Sequence, residues 1–117
     1  MDNIYLQTMR NAVKGNMVVK LLAKSSGRSE PTSLLNYRER VIKEDDWEIT
    51  ADDDKVEASS KWCEWEFGGG KSKIYGFFVV NEDGEVLWEE RSKVPYEVIR
   101  RGDKFRVRPK LRLEIID

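Results

Sequence analysis

Hydrophobic and polar residues alternate almost without a break from Lys104 to Ile115. Phe105, Val107, Pro109, Leu111, Leu113 and Ile115 fall on one parity, while Lys104, Arg106, Arg108, Lys110 and Arg112 fall on the other. A period of two belongs to a strand with one face on a core and the other open; a helix would scatter the same residues around its axis. The pattern predicts a half-buried C-terminal strand, with Pro109 as the place for a bend and five cations on its open face. Folding needs the apolar parity, but folding alone does not call for five consecutive cations.

The same reading extends back along the chain. Tyr5, Met9, Ala12 and Val13 share one helical face, Asp2 or Asn3 offers a cap, and Gly15 a stop, which predicts a short N-terminal helix. Met17 to Ala23 reads as a strand and Ser25 to Ser33 as a loop; Leu34 to Ile42 fits either a helical turn or an irregular strand. Trp47 to Ile49 is a short strand, 51–54 a turn, and Val56 with Ala58 begins another run. From Lys61 to Phe67 the alternation returns, with Cys63, Trp65 and Phe67 on one side and Trp62, Glu64 and Glu66 on the other. Residues 73–80 are apolar on both parities, Ile74, Phe78 and Val80 against Tyr75, Phe77 and Val79, so this strand should be central and covered on both sides. Gly76 within it marks a bulge or a close approach by another backbone. Residues 81–84 read as a hairpin turn into Glu85 to Glu89; Pro95 separates that strand from Tyr96 to Ile99, and Arg101 to Asp103 is a tight turn. Seven to nine short strands behind one helix predict an all-β fold, an antiparallel β-sandwich or jelly-roll-like barrel. The expected organisation is an N-terminal helical arm, residues 1–15, and a single β-sandwich domain, residues 16–117.

Composition narrows the class. With 117 residues there is room for one core, and with 37% charged residues that core is small and its surface densely charged. No apolar run approaches the roughly 20 residues that cross a bilayer, and the first residues lack the pattern of a signal peptide, so no membrane partner and a reducing cytoplasmic setting are expected. The lone Cys63 cannot form an intrachain disulfide. The net charge of −1 conceals segregation: residues 1–43 carry eight cations and three anions, 44–66 two and ten, and 67–117 eleven and nine. Opposite charges on facing strands are ordinary cross-strand pairs, and they are also a means of pairing with copies of the same chain.

The chain has no histidine, which removes the commonest general base and metal ligand. One cysteine cannot build a structural zinc site, and the Gly68–Gly70 run leads into a strand rather than a phosphate-binding helix N-terminus. Asp52, Asp53 and Asp54 lack the ligand spacing of an EF-hand loop. The carboxylates lie on turns and open faces, where they have no reason to differ in pKa, so a non-enzyme without cofactor or metal is expected. The cationic row has three candidate partners: acidic strands of the same chain bearing Glu64 and Glu66, or Glu48 and Glu57; another protein subunit; or nucleic acid. Phosphate tracking normally leaves a net basic domain, so nucleic acid is the least favoured. The candidate protein-interface residues are Tyr5, Met9, Trp62, Lys104, Arg106, Arg108, Lys110 and Arg112.

The run Ile74-Tyr-Gly-Phe-Phe-Val-Val80, then Gly84-Glu-Val-Leu-Trp-Glu-Glu-Arg91, Ile99, Gly102-Asp103 and Val107-Arg-Pro-Lys-Leu111, resembles a family of small tailed-phage virion proteins encoded among the head genes. Their C-terminal half follows the pattern YGYFV…G.LLWAERF…I..GD.I.V.PKL.L. The resemblance covers residues 74–113 specifically and is loose before them. It implies a structural component of a virus particle, located in the virion after assembly in the host cytoplasm. Such a protein would be a capsid decoration or cement protein, or another head-associated component, with the major capsid protein or other virion proteins as partners and a homo-oligomer as its own state. Ser92 stands where the family usually has Phe, and Lys104, Arg106, Arg108 and Arg112 stand where it is usually neutral and Thr-rich. The alternatives are a small β-barrel binding module for single-stranded nucleic acid or glycan, using Trp62, Tyr75 and the cationic row, and a phage-encoded inhibitor of a host protein, using the acidic stretch 44–57.

Overall fold

The computed structural model describes residues 4–114, so the expected caps at Asp2 or Asn3 and the place of Ile115 lie outside the described residues. Helix α1 spans Ile4–Ala12, and nine strands follow among the described residues. They are β1 (Met17–Leu22), β2 (Arg40–Ile42), β3 (Glu48–Ala51), β4 (Lys55–Ser59), β5 (Cys63–Glu66), β6 (Ser72–Val80), β7 (Val86–Val98), β8 (Lys104–Val107) and β9 (Lys110–Glu114). Every pairing is antiparallel, which confirms an all-β fold with one short N-terminal helix.

One sheet has the order β2-β1-β6-β7; β3-β4-β9 and the pair β5-β8 make up the rest. The latter two are nearly continuous. Residues 55–66 run antiparallel to 104–114, and the ladder is interrupted only around Ser60 and Pro109, where Ser60 N–H donates to the Pro109 carbonyl at 2.9 Å. Proline has no N–H to give a ladder, and the strand breaks and bends there as the sequence suggests.

The core lies between these layers. Val19, Leu21, Ile74, Phe77 and Val79 come from the first sheet, and Val56, Ala58, Cys63, Trp65 and Phe67 from the second. A second, smaller cluster of Leu22, Phe78 and Val80, with Val18 and Tyr75 against it, occupies the other face of the first sheet. Strand β6 is therefore covered on both sides, but its parity is not the one the uninterrupted alternation predicts. Gly76, at φ 151°, flips the phase, so that Ile74 faces with Phe77 and Val79 while Tyr75 faces with Phe78 and Val80. A Cβ at Gly76 would sit 1.9 Å from the Glu90 carbonyl oxygen, so only glycine lets β7 approach.

Pro95 does not separate two strands as the sequence led us to expect. Gly76 pairs with Arg91 and Ile74 with Tyr96, so residues 92–95 form an excursion opposite Tyr75 within one 13-residue strand. Proline fits there because an excursion asks no ladder hydrogen bond of it. The ambiguous stretch 34–42 resolves into tight turns followed by β2, with Tyr37 N–H donating to the Leu34 carbonyl at 3.3 Å.

Candidate protein-docking face

The open face of the second layer is built by register. Strand β8 sets Lys104 opposite Glu66 and Arg106 opposite Glu64, and β9 sets Arg112 opposite Glu57 and Lys110 opposite Ser59. Because side chains directly opposite in an antiparallel pair share a face, the cationic row and the acidic residues of β4 and β5 interleave. Arg112 reaches Glu57 at 3.4 Å and Glu114 at 3.7 Å. Arg108 donates from Nε to the Ser60 carbonyl at 2.7 Å and reaches Glu48 at 3.8 Å. The hydrogen bond from Lys55, followed by the charges of Lys55 and Arg112, holds the Glu57 carboxyl below its ordinary range.

Within the chain the row is paired only in part: Arg108 and Arg112 reach carboxylates of the acidic strands, whereas Lys104, Arg106 and Lys110 have no ion-pair partner within 4.0 Å among the described residues. Six cations, Lys55, Lys104, Arg106, Arg108, Lys110 and Arg112, stand among five anions, Glu48, Glu57, Glu64, Glu66 and Glu114, so opposite charges nearly balance on this face. Solvated pairs of this kind contribute little each to stability, so the ladder fixes a charge pattern more than it holds the fold together. Trp62 stands 53% exposed beside it, with the Arg106 guanidinium 4.0 Å from its ring centre. The expected division of 61–67 holds: Cys63, Trp65 and Phe67 are buried, and Trp62, Glu64 and Glu66 are exposed.

Tyr5 and Met9 are placed elsewhere. Met9 is buried and Tyr5 packs against the same core, so both serve the contact of α1 with β3 and β4. Leu6 and Val13 share this face, and Ala12 is exposed. The helix docks on its own sandwich, and only Trp62 and the five cations remain together as an open group.

The sequence reading missed the apolar side chains of β7. Leu87, Val94 and Tyr96 are exposed, Val94 on the excursion opposite Tyr75. Tyr96 is rooted inward by an aromatic series, its ring 5.4 Å from Phe105, which lies 6.3 Å from the buried Trp65. The apolar residues on either side of Pro95 were the available signal, because a proline inside a strand-like run marks an edge or a bulge.

Arg91 holds the 24–28 loop against this strand, donating to the Lys24 and Gly27 carbonyls, each at 2.7 Å, while Glu89 braces it at 2.8 Å and also pairs with Arg28 at 3.1 Å. The cleft between them, about 270 Å³, is lined by Ser26, Gly27 and this trio, whose opposite charges already satisfy one another. Burial pushes the Cys63 thiol up, away from the reactive thiolate. Comparison with family models, curated proteins and solved structures finds no match to this chain.

Proposed function

We propose that this chain is a non-enzymatic structural protein of a virus particle, a decoration or cement component that docks on the repeated protein lattice of the head. The observation that carries the reading is the exposed Trp62–Arg106 stack beside a ladder of interleaved opposite charges on a sheet face. Tryptophan and arginine are the residue types that anchor protein contacts, and interleaved opposite charges fix register and reject mismatched partners. A lattice presents its site many times, so individually weak contacts suffice when several engage together. The resemblance over residues 74–113 supports the same reading.

The exposed indole also suits a module that stacks on single-stranded nucleic acid, but the near-balance of charge on the face argues against it, since phosphate binding draws on net positive charge. Quantitative mass spectrometry of purified virus particles tests the proposal. Hundreds of copies per particle support decoration, about six to twelve place the chain at a portal or tail, and absence from particles overturns the structural role. Tight binding of an unrelated single-stranded oligonucleotide that collapses with added salt would favour the stacking module instead.

A further inference from the structure

At the two ends of the first sheet charges of opposite sign gather. At one end β6 begins at Ser72, opposite Val98. There the 67–71 connection meets the 100–103 turn, with Phe67 N–H donating to the Asp103 carbonyl at 2.9 Å and Gly102 N–H to the Phe67 carbonyl at 2.8 Å. Lys71, Lys73, Arg100, Arg101 and Lys104 gather at this end, and among the described residues none has an ion-pair partner within 4.0 Å. The anions here are Glu66 and Glu97, opposite Lys104 and Lys73, and Asp103, whose carboxylate accepts the Ile99 and Arg100 N–H groups. Five cations against three anions leave this end at +2.

The other end has the opposite sign. The turn 81–84 joins β6 to β7, and Glu82 accepts the Asn16 N–H at 3.0 Å while Glu44 accepts the neighbouring Gly15 N–H at 2.7 Å, which locks two acidic segments side by side. Glu44, Asp45, Asp46, Glu82, Asp83 and Glu85 stand here against Arg10, Lys14, Lys43 and Lys61, the last paired with Asp46 at 3.3 Å, leaving −2. Nine residues of β6 separate the ends by about 30 Å, in a molecule 50 Å long. The screening length is about 10 Å at 0.1 M salt, so the two ends cannot neutralise each other within one chain, as the ladder does.

We infer that copies of this chain associate head to tail, the basic end of one seated on the acidic end of the next. Such a contact joins two different patches and repeats, so it builds rings or open chains rather than a closed two-fold pair. It concerns copies of the purified chain and does not depend on the virion role.

Sedimentation velocity of the purified full chain over a concentration series tests it. At about 0.05 M salt the chain should form oligomers beyond the dimer, with association at least tenfold weaker at about 0.5 M. Lys71→Glu with Arg101→Glu, making both ends acidic, and Asp83→Lys with Glu85→Lys, making both ends basic, should each lose association about tenfold or more, and mixing the two should restore it. All four positions are exposed and circular dichroism checks the fold; should a double variant not fold, Arg101→Glu and Asp83→Lys, each of which takes its own end to zero charge, should singly weaken association. A monomeric chain at low salt, a salt-independent dimer, variants that associate as the parent does, or a mixture that fails to reassociate each overturn the inference.

Discussion

The guanidinium of Arg106 lies 4.0 Å from the ring centre of Trp62, on a face where both side chains are exposed. Stacking of this kind at an exposed site is worth about 0.5–1 kcal/mol. Trp62→Ala and Arg106→Ala should therefore lower unfolding stability by no more than about 1 kcal/mol each, measured by urea denaturation. A loss of several kcal/mol would mean that Trp62 serves the core rather than the surface.

Gly76 admits no side chain. Gly76→Ala places a Cβ against the Glu90 carbonyl at a φ that L residues rarely adopt. Backbone strain and overpacking together should cost about 3 kcal/mol or more, seen as a lowered urea midpoint. A neutral result would show that β6 and β7 do not meet there.

Arg91 joins the 24–28 loop to β7 through two backbone carbonyls. Arg91→Ala should cost about 1–3 kcal/mol and expose the loop to limited proteolysis between residues 24 and 29. Arg91→Lys should rescue only part of this, because an ammonium cannot reproduce the forked guanidinium contacts. Unchanged cleavage in Arg91→Ala would rule out the clamp.

Acid should weaken the fold in a defined direction. The Lys43 backbone N–H, and then Lys61, hold the Asp46 carboxyl low; hydrogen bonds from Lys55 and Arg91 do so for Glu57 and Glu89, and the Ile99 N–H for Asp103. A carboxyl whose folded pKa is depressed adds stability that is complete above its unfolded pKa, about 4, and is lost as pH falls through the folded value. Thermal midpoints should be level through neutral pH and fall below about pH 4. Asp103→Asn, which removes the carboxylate charge at the 100–103 turn, should flatten part of that fall. An acid limb identical to the parent's would contradict the assignment of Asp103.

Much of the architecture was legible because one face of each strand is buried. Alternation placed Cys63, Trp65 and Phe67 inside and Trp62 outside, and the acidic residues of β4 and β5 were already candidate partners of the cationic row. What periodicity could not give was phase across a defect. Gly76 was readable as a bulge, but the resulting shift of Phe77 and Phe78 between faces depends on the pairing with β7. Pro95 looked like a boundary because the compensating excursion, Ser92 to Pro95, is visible only beside its partner strand. At the candidate site, Trp62 and the cations were found, whereas Met9 was ambiguous: a buried helical face and a docking helical face have the same spacing.

The central claim, that the Trp62–Arg106 face docks on a repeated protein lattice, is tested most directly by cosedimentation of the purified chain with virus heads from which it has been stripped or deleted. The account predicts saturable binding at a fixed ratio to the shell subunit, with the Trp62→Ala, Arg106→Ala double variant folded but at least tenfold weaker. Heads that bind none of the parent chain, or bind the folded double variant equally well, would contradict it.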